Sequence, residues 1–178
     1  YFLVTRILKI DEKARMIYFT ADDRQPENPY FAQFCKIGFD GKHFANLTPE
    51  AGNHNVTLSP NGNYFVDSYS KPDVPPVTVL RDLNGKMITT LEKTDVSRLM
   101  ATGWKPLTTF SVKAHDGKTD IYGLMITPSK LDPNKKYPVI DYIYPGPQGG
   151  SVGNWSYVAS RGDAQALAEL GCMVGEVE

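Results

Sequence analysis

The chain has 178 residues, of which 41% are hydrophobic and 22% are charged, and its formal net charge is −1 at pH 7. These values are typical of a globular protein with one ordinary domain or two small ones. The near-neutral charge gives no reason to expect nucleic acid or an anionic membrane surface as a partner. Apolar runs such as residues 139–144 are too short to span a bilayer.

The first half of the chain carries strand and turn signals that occur twice. In the first set, apolar runs and the turns Asp11-Glu12-Lys13 and Asp40-Gly41 predict four strands. These strands cover residues 3–10, 16–20, 30–39 and 43–47. The second set has a turn at residues 59–62, strands over 64–67 and 77–83, and a turn at Asn84-Gly85.

The two sets are offset by a nearly constant number of residues. Gly85 follows Gly41 by 44 positions, and Phe65 follows Phe19 by 46. Four short strands in about 40–45 residues are the signature of a β-propeller blade, which we favour over the alternative, a β-sandwich. Because about three repeats are usually needed for stability, two blades imply further blades upstream.

A connector is predicted after the blades. It contains a short helix over residues 95–100, for which Asp95 is the expected N-cap. Strands over residues 110–115 and 121–127 then form a hairpin around Asp116-Gly117.

The last forty residues predict a βαβ unit. A continuous apolar run over residues 137–144 is expected of a strand buried on both faces. A helix over 161–170 ends at Gly171, and a second buried strand covers 172–177. A strand, a crossover helix and a strand are the building block of an α/β domain.

Four stretches, in this order, resemble the dipeptidyl peptidase IV branch of the prolyl oligopeptidase family of serine peptidases. They are "TPEAGNHNVTLSPNGNYFVDSYS", "FSVKAHDGKTDIYGLMITP", "KKYPVIDYIYPGP" and "LAELGCMVGEVE". The resemblance implies a mixed fold: about two antiparallel β-propeller blades, followed by the N-terminal strands of an incomplete α/β-hydrolase domain. The blades would occupy residues 1–94, the connector 95–109 and the hydrolase part 110–178.

The same resemblance implies that the parent protein is a serine exopeptidase. It would release N-terminal dipeptides, often after proline, by acyl transfer. The chain alone is expected to be inactive, because the triad of Ser, Asp and His would follow Glu178, itself at a position where the family more often has Asp. The alternatives are an acylaminoacyl peptidase or oligopeptidase of this family, and a non-catalytic propeller-type binding module with a degenerate hydrolase tail.

One stretch, Gly149-Gly150-Ser151-Val152-Gly153, matches the G-x-S-x-G pattern of serine hydrolases. A nucleophile of that type lies directly between a strand and a helix, whereas here the predicted strand ends near Tyr144 and the next helix begins near Arg161. The histidines His43, His54 and His115 all precede Ser151, so the hydrolase order cannot be met within residues 1–178. We therefore interpret Ser151 as a loop serine.

Three residues are candidates for the active site of the parent enzyme. Tyr144 ends the predicted strand at the sheet edge where α/β proteins bind ligands. The residues alone favour a strand-terminal aromatic that is half-buried in the core, whereas the resemblance implies that its side-chain hydroxyl belongs to the oxyanion hole. Asn154 and Trp155, in the loop that follows, are expected to line the substrate pocket, although a structural role for Trp155 is the alternative.

No cofactor and no metal are expected. Cys35 and Cys172 have no C-x-x-C spacing, and we interpret them as two buried thiols that are not cross-linked. A disulfide between them, or a metal site using the three histidines, is the alternative. By resemblance, the partner of the intact enzyme is a peptide substrate, the parent is a homodimer, and its location is the periplasm or the cell envelope of a bacterium.

Overall fold

The structure is a computed structural model, and it describes residues 2–22, 28–144 and 150–178. Twelve strands and two short helices follow one another along these described residues. They are β1 (Leu3–Asp11), β2 (Met16–Asp22), β3 (Gln33–Gly38), β4 (Ala45–Asn46), β5 (Asn53–Leu58), β6 (Tyr64–Lys71), β7 (Val74–Asp82), β8 (Met87–Lys93), α1 (Ser97–Met100), β9 (Thr108–Lys113), β10 (Asp120–Ile126), β11 (Val139–Tyr142), α2 (Ala164–Glu169) and β12 (Met173–Val177).

The chain divides into two compact units. The first contains Tyr1–Lys71 and Pro76–Thr94, and the second contains Pro72–Pro75 and Asp95–Glu178. The first unit holds two four-stranded sheets, ordered β1-β2-β3-β4 and β5-β6-β7-β8. Each sheet runs through its strands in chain order, as a propeller blade does, so the predicted blade architecture is confirmed.

Aromatic and aliphatic side chains join the two sheets of the first unit. Tyr18, Phe34 and Leu47 pack with Val56 and Phe65 in one buried cluster, and the rings of Phe34 and Phe65 meet edge-on with centroids 4.9 Å apart. The neighbouring strand positions, among them Phe19 and Cys35, form a second cluster on the other face of the first sheet. Successive strand residues point to opposite faces, which explains why β2 and β3 are apolar on both sides.

A buried network of charged side chains holds the second sheet together. Arg81, only 2% exposed at its side chain, donates from Nε to Asp67 Oδ2 at 2.9 Å and from Nη2 to Glu50 Oε2 at 2.6 Å. Burial of Glu50 raises the pKa of its carboxyl. The hydrogen bond and the positive charge of Arg81 lower that pKa, and the net result is a pKa below the usual value. The network therefore pairs opposite charges, each of which would cost much free energy to bury without a partner.

His54 closes this network from the opposite side. Its Nδ1 lies 2.8 Å from Asp67 Oδ1, and its Nε2 lies 3.0 Å from the carbonyl oxygen of Glu50. Since a carbonyl oxygen only accepts hydrogen bonds, Nε2 carries a proton. His54 is thus a structural residue of the blade, stacked at 4.9 Å on the ring of Tyr69.

The second unit contains a mixed four-stranded sheet, ordered β11-β12-β10-β9. β9, β10 and β12 are antiparallel neighbours, whereas β11 and β12 run parallel and are connected through α2. This arrangement confirms the predicted βαβ unit. The helix buries Ala164 and Ala168, which lie four residues apart on one face, while Glu169 binds the backbone N–H and the hydroxyl of Ser129 at 2.8 Å each.

The structure corrects several sequence expectations. Val139 and Tyr142 of β11 are 63% and 62% exposed, because β11 lies at the edge of the sheet rather than buried on both faces. The N-cap of α1 is Val96, and Asp95 instead accepts a hydrogen bond from the N–H of Ser97 at 2.8 Å. The predicted strand over residues 43–47 shortens to two residues, since His43 has a left-handed φ of 58°.

Two strands, β5 and β8, are absent from the sequence prediction, and β7 begins three residues earlier than expected. Pro75 and Pro76 make the start of β7 hard to predict from the sequence. Proline is nevertheless tolerated near the first residue of a strand, and the carbonyl of Pro76 still accepts the N–H of Thr94 at 3.0 Å.

The charged network generates a prediction about stability. Substitution Arg81→Ala leaves Asp67 buried without its cation, so we expect the free energy of unfolding to fall by about 3–5 kcal/mol. Arg6→Ala, at an exposed position of β1, is the matched control and should change it by less than about 0.5 kcal/mol. Urea denaturation measures both, and equal effects of the two substitutions would contradict the role assigned to Arg81.

Candidate active site

The candidate site lies where the parallel strands β11 and β12 end. Carboxyl ends of parallel strands lie at one edge of a sheet, the usual ligand-binding edge of α/β proteins. Tyr142 of β11 pairs with Glu176 of β12 in the ladder. Tyr144 and Glu178 follow these strands, so two tyrosines and two glutamates are brought to this edge.

Glu178 holds the loop that begins at Gly150. Its Oε2 accepts the backbone N–H of Val152 at 2.9 Å and that of Gly153 at 3.2 Å. Its own backbone is fixed by two hydrogen bonds with Tyr122, at 3.0 and 2.8 Å. The carboxylate therefore reaches out from a backbone position held beside the sheet and organises two successive loop amides.

Glu176 and Arg161 hold the same loop further along. Glu176 Oε2 lies 3.0 Å from Arg161 Nε, and their side chains are only 7% and 11% exposed. The guanidinium also donates to the carbonyl oxygens of Asn154 and Val152, at 2.8 and 2.5 Å. One arginine thus neutralises a buried carboxylate and satisfies two loop carbonyls, using the fork geometry that lysine lacks.

Ser151 connects the loop to Tyr144. Its Oγ accepts the backbone N–H of Tyr144 at 2.8 Å. β11 ends at Tyr142 and α2 begins only at Ala164, so Ser151 is not at the strand–turn–helix junction of a nucleophile elbow. None of the three histidines hydrogen bonds to it among the residues that the structure describes. Gly149, the first glycine of the G-x-S-x-G match, lies outside those residues.

A cavity of about 510 Å³ opens beside the loop. Its walls combine apolar positions of the βαβ unit with the polar groups of the loop. They include Ile140, Tyr142, Ser151, Asn154, Arg161 and Glu176. The volume falls in the range of small-molecule and peptide side-chain pockets.

The three candidate residues differ in their surroundings. The side chain of Tyr144 is 55% exposed at the strand edge. Asn154 lines the cavity, and its Oδ1 accepts the N–H of Ser156 at 2.9 Å. Trp155 is 2% exposed and so lies within the protein interior. The functional roles of all three stay predictions.

The loop continues into an aromatic contact. The rings of Trp104 and Tyr157 meet edge-on with centroids 6.1 Å apart. Burial raises the pKa of the Tyr157 hydroxyl above its usual value, so this tyrosine is a neutral packing residue at physiological pH.

The sequence interpretation missed Arg161 and did not assign a role to Glu176. A signal for both was present, since Glu176 is a charged residue inside the apolar strand sequence Met173–Val177. A buried carboxylate requires a cation or several donors. Arg161 precedes Glu176 in the chain by about the length of one crossover helix, which is the separation expected in a βαβ unit.

No metal-binding cluster of His, Cys, Asp or Glu occurs in the part of the chain that the structure describes. Cys35 is buried in the first unit and Cys172 is half-buried directly before β12, without a disulfide between them. No helix among the described residues is long and apolar enough to cross a membrane.

Comparisons with known proteins identify relatives over most of the chain. The sequence profile of the dipeptidyl peptidase IV (DPP IV) N-terminal region matches residues 1–76. Dipeptidyl peptidase 8 of Mus musculus is 28% identical over 174 residues, which make up 93% of this chain and 19% of that protein. The chain therefore spans about one fifth of the length of this curated relative.

Two crystal structures share the fold. A Bacteroides ovatus protein described as a "putative dipeptidyl aminopeptidase IV" matches with a TM-score of 0.77 and 28% identity, over 99% of this chain and 25% of its own. Porphyromonas gingivalis dipeptidyl peptidase 4 matches with a TM-score of 0.75 over 99% of this chain and 24% of its own, and at 22% identity it supports the fold alone. Together, the comparisons confirm the resemblance to dipeptidyl peptidase IV.

The ion pair at the site generates a second prediction. Arg161→Met leaves the Glu176 carboxylate buried without its cation, and we expect a loss of about 3 kcal/mol in the free energy of unfolding. The double substitution Arg161→Met/Glu176→Met should recover most of that loss, because two apolar side chains can replace a buried ion pair. Urea denaturation tests this, with Arg98→Met on the exposed surface of α1 as the control.

If the double variant is as unstable as Arg161→Met, the cost arises from the lost loop hydrogen bonds rather than from the unpaired carboxylate. That result would contradict the electrostatic explanation.

Proposed function

We propose that this chain, a dipeptidyl peptidase IV-like segment, is part of a serine peptidase that releases dipeptides from the free N-termini of peptides. The observation that carries the proposal is the 28% identity to a named dipeptidyl peptidase across 93% of the chain. The similarity runs through both units, so it includes the blades and the sheet edge with Tyr144. In this proposal the substrate is a peptide, and no metal or cofactor takes part.

Tyr144 is assigned to the oxyanion hole. When a serine attacks the scissile carbonyl, negative charge develops on the carbonyl oxygen, and fixed hydrogen-bond donors aimed at that oxygen stabilise the transition state. A tyrosine hydroxyl is a neutral donor that needs no change of protonation. Its position after β11, at the ligand-binding edge and 55% exposed, supports this role.

Asn154 and Trp155 are assigned to the substrate pocket. Asn154 contributes a polar wall to the cavity beside the loop. Because Trp155 is buried, it would shape the loop backbone rather than contact the substrate directly. Both assignments rest on the resemblance and on the position of these residues in the loop that follows Tyr144.

Ser151 is not the nucleophile in this proposal. Its hydroxyl accepts a backbone N–H and has no histidine to take its proton among the described residues. The reactive serine, the histidine and the orienting acid are assigned to parts of the peptidase other than residues 1–178. A homodimeric parent and a periplasmic or envelope location stay predictions of the resemblance.

The activity is tested on the full-length protein. We expect hydrolysis of chromogenic Xaa-Pro substrates with a free N-terminus and none when that amine is acetylated. A fluorophosphonate probe should label one serine, and peptide mapping should find it outside residues 1–178. Labelling of Ser151, or equal cleavage of free and acetylated substrates, would refute the proposal.

A separate prediction concerns Tyr144. Tyr144→Phe removes only the hydroxyl, so we expect kcat of the full-length peptidase to fall by about 10²–10³ with little change in KM. Tyr64→Phe, at a partly exposed position of β6, is the matched control and should leave kcat unchanged. A kcat within twofold of the wild type for Tyr144→Phe would exclude the oxyanion role.

A further inference from the structure

The stretch Gly150–Gly153 fits no nucleophile, yet the structure gives each of its four residues a specific contact or conformation. We propose that Ser151 and Glu178 are positioning residues that hold the backbone of Tyr144 for its work in the oxyanion hole. The proposal rests on the proposed role of Tyr144. It gives the described residues Gly150–Gly153 a role as a brace between the loop and the two strand ends.

Tyr144 needs such a brace because it stands outside the strand. β11 ends at Tyr142, and the ladder between β11 and β12 ends with the pair Tyr142 and Glu176. The N–H of Tyr144 is bound instead by Ser151 Oγ at 2.8 Å. A side-chain acceptor thus replaces the missing ladder partner and connects the backbone of Tyr144 to a position seven residues later.

Glu178 fixes the position of Ser151 in turn. Its Oε2 accepts the N–H groups of Val152 and Gly153, the two residues directly after the serine. Because the backbone of Glu178 is paired with Tyr122, the carboxylate reaches the loop from a main-chain position that is held beside the sheet. Charge-assisted hydrogen bonds of this kind are about twice as strong as neutral ones.

The two glycines of the stretch are required by this geometry. A Cβ at Gly150 would occupy the same space as the carboxylate of Glu178. Gly153 has a φ of +61°, which side-chain-bearing residues rarely adopt. A small residue before the serine and a left-handed residue after it therefore let the loop fold closely over one carboxylate.

Precise placement matters for an oxyanion donor. Catalytic groups have to be held within about 0.5 Å of the productive geometry, and a small misplacement costs much of the rate. The hydrogen bond from Tyr144 N–H to Ser151 limits the rotation of the backbone that carries the phenol. The brace acts on the donor and leaves substrate affinity unaffected, which separates it from a residue that binds substrate.

The test is a double-mutant cycle in the full-length peptidase. Ser151→Ala should lower kcat roughly three- to tenfold, the value of one neutral hydrogen bond, with KM unchanged. Ser151→Thr keeps the hydroxyl and should retain most of the activity. In a Tyr144→Phe background, Ser151→Ala should have no further effect, because it acts through the hydroxyl that is already gone.

Glu178 is tested in the same assay. Glu178→Ala removes the acceptor for both loop amides and should lower kcat at least as much as Ser151→Ala, whereas Glu178→Gln keeps one oxygen acceptor and should be milder. Gly150→Ala should match Glu178→Ala, since its Cβ displaces the carboxylate. Ser97→Ala, at an exposed position of α1, is the matched control with no expected effect.

Amide hydrogen exchange of the full-length protein provides a readout independent of activity. We expect the N–H of Tyr144 to be protected in the wild type and in Ser151→Thr, and to exchange faster in Ser151→Ala and Glu178→Ala. Unchanged exchange together with unchanged kcat in Ser151→Ala would overturn the brace. Additive losses in Ser151→Ala and Tyr144→Phe would overturn its action through Tyr144.

Failure of the proposed function has a different signature. In that case Tyr144→Phe is as active as the wild type, whatever exchange rate Tyr144 shows. If instead Tyr144→Phe is strongly impaired while Ser151→Ala and Glu178→Ala are not, the oxyanion assignment stands and the positioning role is wrong.

Discussion

The candidate site depends on the hydrogen bonds that the carboxylates of Glu176 and Glu178 accept. The two residues lie two positions apart on and directly after β12, and both reach the loop that begins at Gly150. Glu178 binds two loop amides directly, while Glu176 works through Arg161, which donates to two loop carbonyls. A loop without regular secondary structure needs partners for its backbone groups. Here Glu178 and Arg161, the latter paired with Glu176 of β12, supply these partners and so fix the loop relative to the sheet.

In the first unit, away from the candidate site, a buried arginine is likewise paired with carboxylates. Arg81 is almost fully buried, and it is tolerated because Asp67 and Glu50 receive its guanidinium while His54 completes the coordination of Asp67. In both units an arginine is paired with a carboxylate in the interior rather than at the surface. Such pairs contribute little net stability compared with apolar packing, but losing one partner is costly. They therefore specify which strands and loops come together.

Much of the fold follows from local sequence signals. The turn at Asn84-Gly85 and the recurrence of strands after about 45 residues predict the blades, and the turn at Asp116-Gly117 predicts the hairpin of β9 and β10. The apolar run over residues 137–144 and the helical pattern over 161–170 predict the βαβ unit. β8 escapes prediction because it is exposed at every position, so no apolar face marks it. In β5 the buried positions alternate, but one of them is the polar residue His54, which hides the pattern. The apolar sequence of β11 predicts burial, yet its place at the sheet edge leaves Val139 and Tyr142 exposed.

The sequence by itself determined the type and order of most elements and the location of Tyr144 near a strand end, because turn chemistry and hydrophobic periodicity are local properties of the chain. Its motifs, taken in order, also carried the resemblance to dipeptidyl peptidase IV. Only the tertiary structure decided what Ser151 does. Its partner, the N–H of Tyr144, and the carboxylate that orders its neighbours, Glu178, lie seven and twenty-seven positions away. No periodic pattern connects residues at such distances, because strand pairing and packing bring them together.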